Sequence, residues 1–194
     1  MRPEIVVQVA LIRPGPIQAN FVHPYTARRR GLEPVTYLHP DLEPILKRTQ
    51  GIPIFQEQAM AIAMALGGYT GSEADELRRT MGNQRKKDRL LRSLQRLAHR
   101  LVEHQIDERI ASKICEDLQS FANYGFPESH AWSFALIAYA TAWLKAHYPA
   151  EFYAGLLNSW PMGFYPVSTL IHDAHRHGVE VRPACLCHGD WECT

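Results

Sequence analysis

The sequence predicts a mainly α-helical protein built from several helices, with a short β-rich segment at its N-terminus and an irregular tail at its C-terminus. Three observations carry that prediction. Phe55, Ala59, Ile62, Ala63 and Leu66, and further on Leu90, Leu94, Leu97 and Leu101, recur at helical spacing. The stretches between such runs are punctuated by glycine, proline or capping residues. Of the 194 residues, 46% are hydrophobic and 7 Phe, 8 Tyr and 4 Trp supply large apolar groups, which is enough for a packed core and argues against disorder.

In chain order, Ile5–Ile12 (IVVQVALI) is rich in β-branched residues and reads as strand-like until Arg13-Pro14-Gly15-Pro16 breaks it. Residues 20–51 read as a loop-rich stretch, interrupted by Pro24, Gly31, Pro34, Pro40, Pro44 and Gly51. A helix follows from about Pro53 and ends at Gly67-Gly68. Ser72 can cap a second helix, with Glu73, Asp75 and Glu76 favouring its first turn and Gly82 following its last.

The third helix spans about 86–104 and carries the leucine stripe. Asp107 opens a fourth, with Ile110, Ile114, Leu118 and Phe121 on one face, and Asn123-Tyr124-Gly125 stops it. Pro127 suits the first turn of a fifth helix, which runs to His147 and breaks at Pro149. Because Trp132, Phe134, Leu136, Ile137, Tyr139, Trp143 and Leu144 make it apolar nearly all round, this helix is expected at the centre of the core. Helices over 150–158 and 166–177 complete the set, and Gly178 leads into a short strand-like Val179-Glu180-Val181 and the tail.

Charge is distributed unevenly. Residues 1–100 hold 16 basic and 9 acidic side chains, and residues 101–194 hold 5 and 11. Nine of the basic residues lie between Leu77 and Leu101, opposed by Asp88 alone: Arg78, Arg79, Arg85, Lys86, Lys87, Arg89, Arg92, Arg96 and Arg100. On a helix, Arg85, Arg89, Arg92, Arg96 and Arg100 fall within roughly 80° of one another, and the leucine stripe lies roughly 120° away. Like charges so close repel, so a polyanion such as nucleic acid makes physical sense of them. Mutual ion pairing with the acidic half is the alternative that composition leaves open.

Arg78 and Arg79 stand near the end of the second helix. One guanidinium could grip a phosphate while the other holds a carboxylate or a second phosphate oxygen, a task suited to arginine's fork. Ser129 and His130 stand at the start of the fifth helix, where free N–H groups and the positive dipole end favour phosphate oxygens. A capping serine beside an ordinary histidine would look the same. Tyr124 and Phe126 could stack on a base or belong to the core.

Cys185, Cys187, Cys193 and His188 cluster within nine residues, yet Cys-x-Cys is tighter than usual zinc spacing and no second half-site follows, so reduced thiols are expected there rather than a metal. The chain has no Asp-x-Asp pair for two catalytic metal ions, no Gly-x-x-x-x-Gly-Lys-Ser/Thr loop and no evident Ser-His-Asp set. By itself it is expected to catalyse nothing. No secretory leader is evident, and the most apolar run, Ala131–Leu144, is shorter than the roughly 20 residues of a span, so a cytoplasmic location is expected.

Five ordered blocks carry a resemblance: Ala10-Leu-Ile-Arg-Pro-Gly-Pro16, Gly51-Ile-Pro-Ile-Phe-Gln-Glu-Gln58, Glu76-Leu-Arg-Arg-Thr-Met-Gly82, Asn123-Tyr-Gly-Phe-Pro-Glu-Ser-His130 and Trp143-Leu-Lys-Ala-His-Tyr-Pro-Ala-Glu-Phe152. Over residues 5–180 the chain resembles the fingers region of bacterial C-family DNA polymerases, the polymerase III alpha-subunit type. Phe126-Pro-Glu-Ser-His-Ala-Trp-Ser-Phe134, Leu157-Asn-Ser-Trp-Pro-Met-Gly-Phe-Tyr-Pro166 and Gly189-Asp-Trp-Glu-Cys-Thr194 resemble its error-prone, damage-induced branch.

The resemblance implies a fragment of a DNA-directed DNA polymerase used in damage-induced mutagenesis and translesion synthesis. Residues 1–178 would be fingers, 1–16 the connection from the palm, and 179–194 a linker or the start of the next domain. Arg78, Arg79, Ser129, His130 and, less directly, Arg13 would contact the incoming nucleotide. Arg85, Lys86, Lys87, Arg89, Arg92, Arg96 and Arg100 would face DNA or the rest of the polymerase. Mg²⁺ would be held by palm aspartates outside this chain. Primer-template DNA and deoxynucleoside triphosphates are the implied partners, with a sliding clamp and mutagenesis accessory proteins reached through other regions. The rival expectation is a stand-alone helical DNA-binding or scaffold module without catalysis.

Overall fold

The computed structural model describes the chain except residues 1–2, 13–21, 82–86, 123–124, 162, 164, 184, 186–188, 190–191 and 194. It forms two compact units, residues 1–135 and 136–194. The helices are α1 (Pro3–Leu11), α2 (Val22–Arg29), α3 (Glu43–Leu46), α4 (Gln56–Gly67), α5 (Gly71–Thr80), α6 (Lys87–Glu103), α7 (Glu108–Ala122), α8 (Glu128–His147), α9 (Pro149–Asn158) and α10 (Val167–Arg176). Short 3-10 turns at Pro40–Leu42 and Lys47–Thr49 flank α3. The mainly α expectation holds.

The β-rich N-terminal segment does not. Residues Pro3–Leu11 are helical, and Val6, Val7, Ala10 and Leu11 are buried while Gln8 is exposed. Pairs recurring after four residues mark a helix face. A short apolar run reads alike for a buried strand and a buried helix, and here the tertiary contacts settle it. Nor are residues 20–51 mostly loop, since they contain α2, α3 and two 3-10 turns. Val179–Val181 forms no strand.

The first unit holds two cores. One joins Ala59, Ile62 and Leu66 of α4, Ala74 and Leu77 of α5, Leu90, Leu94, Leu97 and Leu101 of α6, and Ala111, Ile114 and Leu118 of α7. The leucine stripe of α6 thus buries as its spacing predicts, with Leu97 and Leu101 fully inaccessible. The other gathers Val6, Val7, Ala10, Leu11, Tyr25, Ile52, Ile54 and Phe55 with Ala131 and Ala135 from the start of α8.

Gln58 fixes the entry to α4. Its Oε1 accepts from the backbone N–H of Ile54 and Phe55 at 2.8 and 3.0 Å, and its Nε2 donates to Ile45 O and Thr49 Oγ1 at 3.1 and 2.8 Å. The neighbouring backbone pairs with the approach to α8: Gln56 N donates to Phe126 O and Phe126 N to Ile54 O. Gly68 ends α4 in the left-handed conformation at φ +59°. The cap of α5 is Thr70 rather than Ser72: its Oγ1 accepts from Glu73 N, and Glu73 Oε2 accepts from Thr70 N. At α7 the Asp107 carboxylate accepts from Arg109 N and Ile110 N, as expected of a cap.

In the second unit, Asp173 of α10 is the hub. Its Oδ2 receives Lys145 Nζ at 2.6 Å and the Tyr153 hydroxyl at 2.7 Å, and its Oδ1 receives Arg176 Nη2 at 3.0 Å. These bonds tie α10 to α9 and to the last turns of α8. Pro149, expected only to break α8, also serves as the first residue of α9.

The central-core expectation for α8 is also corrected. Ala131 and Ala135 are buried, whereas Leu136 and Ile137 are 60% and 57% exposed and Tyr139, Trp143 and Leu144 are exposed too. An all-round apolar helix offers no preferred face, so its sequence does not say which side chains pack within this chain. Among the described residues, no helix is long and apolar enough to cross a membrane.

Candidate nucleotide and nucleic-acid interface

The exposed end of α5 holds the arginine pair. Residues three and four apart on a helix face one another, so Asp75 meets both Arg78 and Arg79. Arg78 Nε and Nη2 lie 2.9 and 2.8 Å from Asp75 Oδ1, and Arg79 Nε lies 2.7 Å from Oδ2. The guanidinium groups beside it, Arg78 first, hold the Asp75 carboxyl below the usual carboxylate range. One carboxylate therefore gathers two adjacent cations that would otherwise diverge. The contacts use the Nε edges and one Nη, so the triad keeps a net positive charge and free N–H groups. Arg79 remains 73% exposed.

The ladder on α6 divides in two. Arg96 Nη2 stands 2.8 Å from Glu73 Oε1 and Nη1 3.9 Å from Glu76 Oε2. Arg100 donates through Nε and Nη2 to the carbonyls of Gly67 and Gly68 at 3.2 and 3.0 Å. A cation there satisfies carbonyls at the C-terminus of α4 and complements its dipole. Both guanidinium groups also lie over the Tyr69 ring, 5.9 and 5.7 Å from its centroid. Arg96 and Arg100 thus fasten α6 to α4 and α5.

Arg89 and Arg92 are exposed. Arg89 makes no hydrogen bond or ion pair among the described residues, and Arg92 donates only to Asp88 O of its own helix, at 3.2 Å. Arg92 borders a cleft of about 190 Å³ shared with Tyr69, Glu73, Glu76, Leu77, Ser93 and Arg96. The Glu73 and Glu76 carboxylates in that cleft disfavour an anion inside it. Arg13, Arg85 and Lys86 lie outside the described residues, and of Lys87 only the backbone is described.

Ser129 and His130 are exposed on the first turn of α8. The start of this helix is already engaged, for Glu128 N donates to Glu57 Oε2 of α4 at 2.9 Å. Glu128 Oε1 in turn accepts from Trp132 Nε1 and pairs with Arg48 Nη2 at 2.6 Å. His130 lies against Phe126 and edge-on to Phe134, with ring centroids 5.2 and 4.6 Å away. Phe126 is half-buried and takes part in the backbone bridge to Phe55, while Tyr124 lies outside the described residues. No hydrogen bond or ion pair among the described residues joins this turn to Arg78 or Arg79; their chain neighbours Leu77 and Ala131 pack in different cores of the first unit.

Sequence reading missed the positions that organise these groups. Asp75 was visible only as a first-turn acid of α5, although its i+3 and i+4 partners are both arginine. Glu73 and Tyr69 became meaningful only once α5 and α6 were side by side. Cys115 is half-buried, and burial pushes its thiol up to about 11, so it is an inert packing group rather than a nucleophile. Among the described residues no three His, Cys, Asp or Glu side chains cluster as a metal site requires, and Cys187 and His188 of the suspected cluster lie outside them.

The arginine pair gathered on Asp75 and the exposed cationic face of α6 both stand on a helical domain. Residues 3–105 match the model of the bacterial DNA polymerase III alpha subunit finger domain, and the chain belongs to that family. It is 54% identical over 191 residues to a protein of Methylococcus capsulatus named Error-prone DNA polymerase, an alignment covering 98% of this chain and 18% of that relative. It is 50% identical to Error-prone DNA polymerase 1 of Agrobacterium fabrum over the same shares, and 49% identical to the Error-prone DNA polymerase of Vibrio parahaemolyticus over 97% and 18%. The chain thus spans about a fifth of the length of the curated relatives it matches.

Proposed function

We propose that this chain forms the fingers of an error-prone DNA polymerase that adds deoxynucleotides across damaged template, and that Arg78 and Arg79 meet the triphosphate of the incoming nucleotide. The observation that carries this reading is the pair of guanidinium groups held side by side on Asp75, with Arg79 largely exposed. Two forks at one place suit a polyphosphate, whose oxygens accept several charge-assisted hydrogen bonds at once. The near-complete alignment to polymerases named error-prone supports it over a stand-alone DNA-binding module.

Phosphoryl transfer depends chiefly on positioning and charge neutralisation. The arginine pair would offset charge on the phosphates, and the exposed face at Arg89 and Arg92 would follow the DNA backbone. Ser129 and His130 contribute hydrogen-bonding groups at the edge of the nucleotide pocket. The family suggests a divalent metal, Mg²⁺ in this reading, which supplies activation of the attacking and leaving oxygens. In this reading its ligands are palm aspartates outside this chain, and contacts with a clamp or accessory proteins lie in other regions too.

Single-nucleotide incorporation by the full-length polymerase tests the reading. Arg78→Ala and Arg79→Ala each raise the KM for nucleotide and lower kcat/KM while leaving primer-template affinity near its parent value. Unchanged incorporation kinetics for both variants would sink the assignment.

A further inference from the structure

We infer that Asp75 is a positioning residue for nucleotide use: its carboxylate holds the Arg78 and Arg79 guanidinium groups together in the arrangement that receives the triphosphate. The inference rests on those two arginines meeting the nucleotide. It adds a residue of opposite charge, which repels phosphate and which no electrostatic reading of the site would select.

Adjacent residues on a helix diverge by about 100° around its axis, so Arg78 and Arg79 do not converge unaided. Their like charges also repel. Asp75 lies three and four residues earlier, the spacing at which side chains on neighbouring turns meet. It takes Arg78 on Oδ1, through Nε at 2.9 Å and Nη2 at 2.8 Å, and Arg79 on Oδ2, through Nε at 2.7 Å. Each oxygen thus serves one arginine. Because the carboxyl is held below the usual carboxylate range, the clamp stays ionised at neutral pH.

The geometry separates a clamp from a competitor. A carboxylate that blocked the pair would occupy the outer two-nitrogen edge of each guanidinium. Asp75 instead meets Arg78 through Nε and Nη2 and approaches Arg79 most closely at Nε, and the Arg79 side chain stays 73% exposed to an anion. Losing the clamp frees two long side chains that must be ordered again for every nucleotide bound.

The test uses the full-length polymerase with Asp75→Asn, Asp75→Glu, Arg79→Ala and the Asp75→Asn/Arg79→Ala double variant, measuring kcat and KM for nucleotide and, separately, primer-template affinity. Asp75→Asn is expected to raise the nucleotide KM roughly tenfold, from re-ordering two side chains, with kcat and DNA affinity retained. Asp75→Glu, which keeps the charge, recovers most of the loss. In the double variant the Asp75 change adds less than it does alone. If Asp75→Asn leaves KM unchanged while Arg79→Ala raises it, the inference falls and the arginine assignment stands. If neither changes KM, the inference falls and the role of Arg79 toward the nucleotide falls with it. An Asp75→Asn variant that loses kcat, DNA affinity or folding together makes Asp75 a structural residue and overturns the inference.

Discussion

Arg96 reaches from α6 to α5 and places Nη2 2.8 Å from Oε1 of Glu73. The same Glu73 closes the capping box with Thr70, and the Thr70 backbone N–H is the leading reason its carboxyl sits below the usual range. Glu73 therefore fastens the start of α5 and the middle of α6 at once. Arg100 one turn further on caps α4. What reads in sequence as a uniform cationic ladder is a fastening at its C-terminal end and an open face at Arg89 and Arg92.

That division predicts different responses to the same substitution. In the full-length polymerase, Arg89→Ala and Arg92→Ala each shallow the slope of log affinity for primer-template DNA against log salt, by about 0.9 for every phosphate that the variant no longer neutralises. Arg96→Ala and Arg100→Ala leave that slope unchanged and lower the melting temperature instead. Salt titrations of DNA binding set beside thermal unfolding separate the two groups, and an equal slope change for all four would restore the uniform ladder.

A second expectation concerns Gln58, which uses both lone pairs of Oε1 and both protons of Nε2 in buried bonds. Gln58→Leu strands two backbone donors, the Ile45 carbonyl and a bond to Thr49. The cost is about 3 kcal/mol in urea unfolding, since each unsatisfied buried group costs roughly 1–3 kcal/mol and some relaxation follows. Gln58→Glu costs more, because one carboxylate oxygen then faces the Ile45 carbonyl. A change below about 1 kcal/mol for either would show that the entry to α4 rearranges freely.

The leucine face of α6, the glycine stop of α4 and the Asp107 cap of α7 were legible because each depends on residues within a few positions of one another. The N-terminal helix was not, for the alternation that separates strand from helix is lost when nearly every residue from Ile5 to Leu11 is apolar. The fate of Arg96 and Arg100 was hidden for another reason. Their partners Glu73 and Gly67 are 23 and 33 residues away, and helical spacing reports which residues share a face but not what that face meets. The arginine pair could be located by sequence; the carboxylate that orders it required the side-chain geometry.

Gly68 offers a local test of the α4 stop. Its φ of +59° lies in the left-handed region, and a Cβ built there would fall against the His104 ring. Gly68→Ala is expected to destabilise by about 1–2 kcal/mol from backbone strain, with little added by His104 because that exposed ring can turn aside. His104→Ala in the Gly68→Ala background therefore recovers only a small part of the loss. Full recovery would make the ring, not the backbone, the obstacle.

The Asp173 hub gives the second unit a pH dependence with a definite sign. The Lys145 ammonium is the largest cause, and the Tyr153 hydroxyl the next, holding the Asp173 carboxyl well below the usual carboxylate range. A carboxyl depressed in the folded state binds fewer protons there than in the unfolded chain, so its contribution is complete above the unfolded value near 3.9. The contribution drains away as pH falls from about 5 through that value toward the folded one. Asp173→Asn removes the charge and leaves Lys145 without its partner, so the variant melts lower at neutral pH. Its melting temperature also declines less steeply than the parent's on acidification, and the two profiles converge at the acid end. Thermal melts of both proteins from pH 7 to pH 2 measure this, and parallel profiles would show that the Asp173 charge contributes nothing to holding α8, α9 and α10 together.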